Sequence, residues 1–445
     1  MQIDRRRFIG LGAGVAATAA LAACSSGDSS SGDGSGTGGT SASTRRGTGA
    51  RALGDPADAP FDHVVILMME NRSFDHLLGW LPGAEGEQAG LSYPDLDGMT
   101  HATWDNGDDW QGCKYEDPGH QWPQGQKHLN GGKGDGFLFT QVREGETTPI
   151  DLWPISYYGP DALPILGTLA REYTTFDHYF AALNAGTWPN RLYQIAAATD
   201  VDVTGTILSN GLAIPGSKIQ TTIWDRAKDA GLTSGYYHWG EPMTSVFDSK
   251  KYEDITHPID DFFTAAKAGK LPNITFVEPD YTSASEFMGT SNDMHPHGSI
   301  RVGDGFIQRV YRAVTQSPQW DTTVLVVNFD EWGGFYDHVV PPTVADDNVN
   351  PNPGPHPDYS QLGFRVPCVL VSPWSPKAIV HEGPYEHCSV LRMIEWRWGL
   401  APMSTRDRTA KNLAEQLDFS LRRPPVKLPA FDAPDPVACP AGSAF

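Results

Sequence analysis

Cysteine is scarce in this chain, five among 445 residues and none in a Cys-x-x-Cys pair, so thiolate coordination of zinc lacks its usual ligand arrangement. Basic residues are short as well: 33 Lys and Arg face 54 Asp and Glu, for a formal net charge of -21. Nucleic-acid binding depends on a cationic surface that neutralises phosphates, and that surface is missing here. Past the first 24 residues no stretch approaches the roughly 18 consecutive apolar residues of a membrane-crossing helix. Phosphorylated small molecules and lipids survive these exclusions, because a bound metal can supply positive charge locally.

The N-terminus runs Arg5-Arg6-Arg7-Phe8-Ile9-Gly10, then a Gly/Ala-rich apolar stretch, then Leu21-Ala22-Ala23-Cys24. A basic head, a moderately apolar core and small residues make residues 1–24 an export signal of twin-arginine type rather than a membrane span. The Leu-Ala-Ala-Cys string resembles a bacterial lipobox, which makes Cys24 the expected lipidated first residue of a cell-surface lipoprotein. Simple cleavage, giving a secreted protein, is the alternative, since small residues ending in Cys also arise by chance in Ala-rich signals. Residues 25–58 carry almost no large apolar side chains and cannot bury enough surface to offset their ordering entropy, so a flexible tether is expected there. Residues 59–445 have no low-complexity break and read as a single domain. Of the later cysteines, Cys113, Cys368, Cys388 and Cys439, three pairings are open.

Within that body, apolar runs read as buried strands: His63 to Met69, Leu232 to Trp239, Ile274 to Val277, Thr323 to Phe329 and Val366 to Val371. Between them, Thr222 to Gly231, Ser299 to Val314 and Ser389 to Trp398 carry helical spacing, the first ending on a helix-terminating glycine. The alternation predicts an α/β fold, a mostly parallel central sheet with helices on both faces. Residues 81–135, rich in Gly, Pro and Trp, predict a long surface insertion over the site.

Two of the runs end in acidic pairs, Glu70-Asn71 and Asp330-Glu331. Parallel sheets bind ligands beyond their strand C-termini, so both pairs point at one site. Three carboxylates and an amide oxygen gathered there repel one another unless a cation sits between them. Oxygen donors suit a hard divalent ion, Ca²⁺, Mg²⁺ or Mn²⁺. Taken singly, each pair also reads as an ordinary helix cap or solvated turn.

Three strings carry a family resemblance: Met69-Glu70-Asn71-Arg72-Ser73-Phe74-Asp75-His76, Asn184-Ala185-Gly186-Thr187-Trp188-Pro189-Asn190-Arg191, and Asp330-Glu331-Trp332-Gly333-Gly334-Phe335-Tyr336-Asp337-His338. In this order they resemble the signature blocks of the bacterial phosphoesterase family, which contains phosphatidylcholine-type phospholipases C and acid phosphatases and is related in core fold to alkaline phosphatase. The resemblance implies an alkaline-phosphatase-like core with loop insertions, one divalent metal held by Glu70, Asn71, Asp330 and Glu331, and Thr187 as the hydroxyl nucleophile. Thr187 reads equally as a cap of a helix from Asn190, and both roles are compatible because a helix N-terminus offers N–H groups to phosphate.

The same resemblance places His120, His238 and His295 around the substrate phosphate, where imidazole donates to a non-bridging oxygen or protonates the departing alcohol. His297 is too near His295 in sequence to be told apart. His76, His338 and His387 read as supporting residues, and Asp75 as orienting the Glu70 loop. The function implied is a metal-dependent phosphoric ester hydrolase, a phospholipase C on phosphatidylcholine-like lipids working through a phosphothreonine intermediate. The chain stops soon after the core, without the long C-terminal extension of some phospholipase members, so acid phosphatase action on small phosphomonoesters stays open. An exposed rim of Trp104, Trp110, Trp122 and Trp188 would favour lipid. A surface lipoprotein that binds phosphorylated ligands without turnover is a third reading; sulfatase action is disfavoured because the Cys/Ser-x-Pro-x-Arg string is absent.

Overall fold

Runs made almost entirely of apolar or β-branched residues in His63–Met69 and Thr323–Phe329 leave no polar face to present to water, so these strands lie in the middle of the molecule, almost wholly buried. The computed structural model describes residues 49–140, 150–201, 217–247, 250–350 and 356–441, all within one compact unit. The expected signal peptide, Cys24 and most of the expected tether lie outside the described residues. Its last part is held against the body: the Arg51 N–H donates to Glu415 O at 2.9 Å and the guanidinium pairs with Asp418.

The central strands are β1 (His63–Met69), β2 (Thr174–Phe176), β3 (Ser234–His238), β4 (Thr256–Pro258), β5 (Ile274–Val277), β6 (Thr323–Phe329), β7 (Cys368–Val371) and β8 (Ala378–Val380). They form one sheet in the order β8-β2-β7-β6-β1-β5-β3-β4. From β6 to β4 every neighbour is parallel; β7 alone runs against both β6 and β2, while β8 is parallel to β2. A parallel neighbour requires a crossover, usually helical. The described residues between β6 and β7 contain no helix, so the chain doubles back and the predicted strand at 366–371 enters reversed.

Among the described residues ten α-helices accompany the sheet: α1 (Phe74–Leu78), α2 (Trp122–Leu129), α3 (Pro164–Glu172), α4 (Thr187–Ala196), α5 (Ile223–Asp229), α6 (Ile259–Lys267), α7 (Ser283–Met288), α8 (Ile300–Thr315), α9 (His387–Trp398) and α10 (Thr405–Thr409). Successive strand side chains point to opposite faces. Tyr236 of β3 accordingly packs on Trp224 of α5, while Tyr237 packs on Phe262 of α6, so helices cover both faces as predicted. The segment Thr222–Gly231 folds as its sequence dictates. Thr222 Oγ1 accepts from Asp225 N and the Asp225 carboxylate accepts from Thr222 N, a reciprocal cap. Gly231 terminates it at φ 73°. No helix among the described residues is long and apolar enough to cross a membrane.

The predicted insertion at 81–135 is more ordered than its composition suggests. It contains a hairpin (Ser92–Pro94 with Thr100–Ala102) and α2, and packs a small apolar cluster of Tyr93, Leu129, Phe137, Trp332, Tyr336 and Phe364. Of the three possible pairings the structure takes Cys113–Cys439, leaving Cys368 and Cys388 as buried thiols. The bond fastens the C-terminal tail to the insertion, beside Cys439 N donating to Met288 O at 3.0 Å and Gln111 Nε2 donating to Val437 O at 2.7 Å. Replacing both Cys113 and Cys439 by Ser is expected to lower the unfolding free energy by about 2–4 kcal/mol, read as a lower urea midpoint; a reductant should lower the midpoint of the wild type, of Cys368→Ser and of Cys388→Ser but leave that of the double variant unchanged.

Candidate active site

β1 and β6 pair in register, His63 with Thr323 through Met69 with Phe329, so Glu70 and Asp330 leave the sheet side by side. The Asp330 N–H donates to Met69 O at 3.0 Å, and Asp330 Oδ1 accepts from Asn71 N at 2.9 Å and from Glu331 N at 2.7 Å. Asn71 adopts a left-handed backbone, φ 55°, a conformation Asn tolerates better than most residues. Gly333 (φ 63°) passes so close that a Cβ there would sit 2.0 Å from Asn71 O. These tight turns gather Glu70, Asn71, Asp330 and Glu331 at the adjoining ends of the two strands, and all four are fully buried. Thr187 joins them from α4: its Oγ1 donates to Glu70 Oε2 at 3.0 Å and lies 3.4 Å from Asn71 Oδ1. The helix begins at Thr187 itself, with Gly186 as its cap, rather than at Asn190.

Burial and mutual repulsion drive the charges apart in protonation. Asp330 and Glu331 are pushed well above the ordinary carboxylate range, chiefly by desolvation and then by the Glu70 and Asp330 charges beside them. Desolvation acts the same way on Glu70 and is the largest effect there, but the Arg191 guanidinium, the Asp330 carboxyl and the His295 charge together outweigh it and hold Glu70 below its usual value. Arg191 donates to Glu70 Oε1 from Nε at 3.0 Å and from its terminal nitrogen at 2.5 Å, and its Nε lies 3.8 Å from Asp330 Oδ2. Asp330 Oδ2 and Glu331 Oε1 are buried without hydrogen-bond partners. Unsatisfied carboxylate oxygens in a dry site are costly, and an oxygen-seeking divalent cation satisfies both; the donor set therefore fits such an ion.

Two of the predicted histidines close the site. His120 Nε2 sits 3.3 Å from Asn71 Nδ2 and 3.8 Å from Glu331 Oε1, while its Nδ1 faces Pro118 O at 2.8 Å. His295 stands edge-on to His120 with ring centroids 6.0 Å apart, its Nε2 3.9 Å from Asp117 Oδ2. Desolvation lowers the His295 pKa, but Asp117, Asp293 and Glu70 together outweigh it and raise the value above 6.5. His297 faces away, Nε2 against Tyr115 O at 3.0 Å and ring stacked on Trp153, so His295 is the one the structure brings in. His238 ends β3 partly exposed, its Nδ1 directed at the carbonyls of Trp239 and Gly240. No hydrogen bond or ion pair described for it reaches the Glu70 cluster. The four tryptophans proposed as a rim are half-buried against the cores rather than exposed.

Residues 61–401 match the model of the phosphoesterase family. The chain belongs to that family. Non-specific phospholipase C1 of Arabidopsis thaliana is 32% identical over 364 residues, 74% of this chain and 66% of that protein's length. Phospholipase C B of Mycobacterium tuberculosis is 30% identical over 437 residues, 84% of this chain and 80% of that protein. Among solved structures, a protein of the alkaline phosphatase superfamily from Vibrio parahaemolyticus is 12% identical with a TM-score of 0.38, covering 84% of this chain and 74% of that one. As a phosphoesterase family member the protein is a phosphoric ester hydrolase.

Several residues of this phosphoesterase site went unnoticed in the sequence. Arg191 lies four residues after Thr187, one helical turn away and hence on the same face, a spacing that was available to read. Asp293 bridges two parts of the site: its carbonyl accepts from Glu70 N at 2.9 Å and its Oδ1 from His295 N at 2.8 Å. His387 Nε2 lies 2.6 Å from Asp330 O, a supporting role in keeping with the sequence reading. Asp75 ties the turn after β1 to the turn after β6 through His338 Nδ1 at 2.5 Å and Arg365 at 3.1 Å. Arg365 also meets Asp337 at 2.8 Å. That second acidic group has a cationic side chain hydrogen-bonded to each of its carboxylates, whereas Asp330 and Glu331 receive no hydrogen bond from one. A divalent ion at about 100 times its Kd is therefore expected to raise the unfolding free energy by about 2.7 kcal/mol. Urea unfolding in chelator against Ca²⁺, Mg²⁺ or Mn²⁺ measures it, and Asp330→Asn should lose most of the increment.

Proposed function

We propose that this protein is a metal-dependent phospholipase C acting on phosphatidylcholine-like lipids through a phosphothreonine intermediate on Thr187. The observation that carries the mechanism is the placement of Thr187 Oγ1 3.0 Å from an ionised, fully buried Glu70 in the first turn of α4. A threonine hydroxyl is a weak nucleophile until its proton has somewhere to go, and Glu70 Oε2 already accepts that hydrogen bond. Attack forms the Thr187 Oγ1–phosphorus bond and breaks the bond to the diacylglycerol oxygen. His295, whose pKa is raised by the Asp117, Asp293 and Glu70 charges, supplies the proton to that oxygen, and His120 beside it donates to a non-bridging oxygen. Water then releases the phosphorylated head group and restores the hydroxyl. Glu70, Asn71, Asp330 and Glu331 would hold the divalent ion, which when bound neutralises charge developing on the phosphoryl oxygens.

The phospholipid assignment is supported by relatives named phospholipase C at 30–32% identity across most of the chain. One observation favours a second reading, acid phosphatase action on small phosphomonoesters: Trp104, Trp110, Trp122 and Trp188 offer no exposed apolar rim for lipid. We place the enzyme at the outer cell surface, exported by the twin-arginine route and anchored through lipidated Cys24, on the strength of the Arg5-Arg6-Arg7 and Leu21-Ala22-Ala23-Cys24 strings.

Thr187→Ala is expected to lower kcat at least ~10³-fold on phosphatidylcholine and p-nitrophenyl phosphate alike, since removing an activated nucleophile removes the covalent route. Near-normal turnover of both would refute the nucleophile assignment, and the ratio of the two wild-type rates decides between lipid and monoester. Cys24→Ser should move the protein from the membrane pellet to the medium of the producing cells; continued sedimentation with membranes would rule out the anchor.

A further inference from the structure

Glu278 ends β5 as Glu70 ends β1, directly after the buried run Ile274–Val277 and on the strand paired with β1. It is 3% exposed, and neither the nucleophile nor the expected cation ligands include it. Its carboxylate accepts from a terminal nitrogen of Arg191, and its backbone N–H is fixed to Tyr237 O at 2.9 Å. Arg191 spans the gap between the two strand ends: it is held by Glu278 on one side, donates to Glu70 on the other, and lies over the Tyr281 ring at 4.4 Å. The guanidinium thus stands 3.8 Å from Asp330 Oδ2, within the shell of residues expected to hold a divalent ion.

A cation so close to a metal site has two opposed effects. It fixes the orientation and ionisation of Glu70, and it repels the metal. The second effect is offset only if another anion takes up the guanidinium charge and keeps the side chain back. We infer that Glu278 is that anion, a positioning residue that acts through Arg191 to let the site accept a divalent cation while Glu70 stays aligned on Thr187. The inference rests on the proposed reading of Glu70, Asn71, Asp330 and Glu331 as the cation's ligands. Outer residues of this kind typically change metal affinity 10- to 100-fold when removed. Glu278 touches no group that reacts.

The test measures metal binding to the chelator-stripped protein by calorimetry with Mn²⁺, Mg²⁺ and Ca²⁺, alongside the metal concentration for half-maximal activity. Glu278→Gln, nearly isosteric, should weaken binding about 10- to 100-fold, with kcat largely regained at saturating metal. Glu278→Asp, which keeps the charge, should bind within a few-fold of wild type. The double variant Arg191→Gln/Glu278→Gln should bind metal more tightly than Glu278→Gln alone, because the uncompensated charge has gone with its partner; a purely structural role predicts losses that add. Native affinity in Glu278→Gln, or additive losses in the double variant, would overturn the inference. Should Glu278→Gln not fold, Arg191→Gln read against the double variant carries the same test: equal affinities support a role exerted through Arg191, and a further loss refutes it. Failure of the underlying reading shows separately, as wild-type affinity in Asp330→Asn.

Discussion

Two carboxylate-bearing strand ends, placed shoulder to shoulder by the parallel register of β1 and β6, are the constraint around which the rest of this molecule is organised. Pairing Met69 with Phe329 leaves Glu70 and Asp330 no freedom to separate, and burial denies them water. Like charges in such surroundings either take up protons or gain a counter-ion. The structure shows both tendencies: Glu70 keeps its charge beside Arg191, while Asp330 and Glu331 are driven toward protonation.

A comparison within the same protein makes the point sharper. Asp75 and Asp337 are buried as deeply as Asp330, yet Arg365 donates to both and His338 to Asp75, so that cluster is electrically complete and serves to lock the turns after β1 and β6 together. In the Glu70 cluster Arg191 donates to Glu70 alone among the acids at the ends of β1 and β6, and Asp330 Oδ2 and Glu331 Oε1 stay without hydrogen-bond partners. A structural ion-pair network satisfies its members; a site built for a ligand leaves some atoms waiting. That difference, rather than the number of acids, separates the supporting network from the functional centre.

Thr187 and the two histidines beside the acid cluster depend on elements far from the two strands. Thr187 enters on the first turn of α4, His120 on an insertion with its own apolar cluster and a disulfide to the C-terminal tail, and His295 on the loop before α8. Each is held by a neighbour that also touches the acid cluster: Thr187 by Glu70, His120 by Asn71, His295 by Asp293. Thr187, His120 and His295 are therefore joined to the acid cluster in one shared hydrogen-bonded set, and small displacements in the insertion or the tail are felt there.

The sequence by itself determined the α/β layering, because fully apolar runs such as Thr323–Phe329 have no stable alternative to burial in a sheet, and it determined that Glu70-Asn71 and Asp330-Glu331 belong together at the strand C-termini. Pattern reading also located the helix at Ile223–Asp229 from its cap and glycine stop. Only the tertiary structure decided the reversed entry of β7, the choice of Cys113–Cys439, the preference for His295 over His297 and the half-burial of the tryptophans. It alone brought Arg191 and Glu278 into the centre of the charge balance, and it left His238 facing the carbonyls of its own turn. The physical reason is range: periodicity and caps are set by neighbours along the chain, whereas the pairing of charges, thiols and rings is set by which distant segments the register of the sheet happens to bring within a few ångströms.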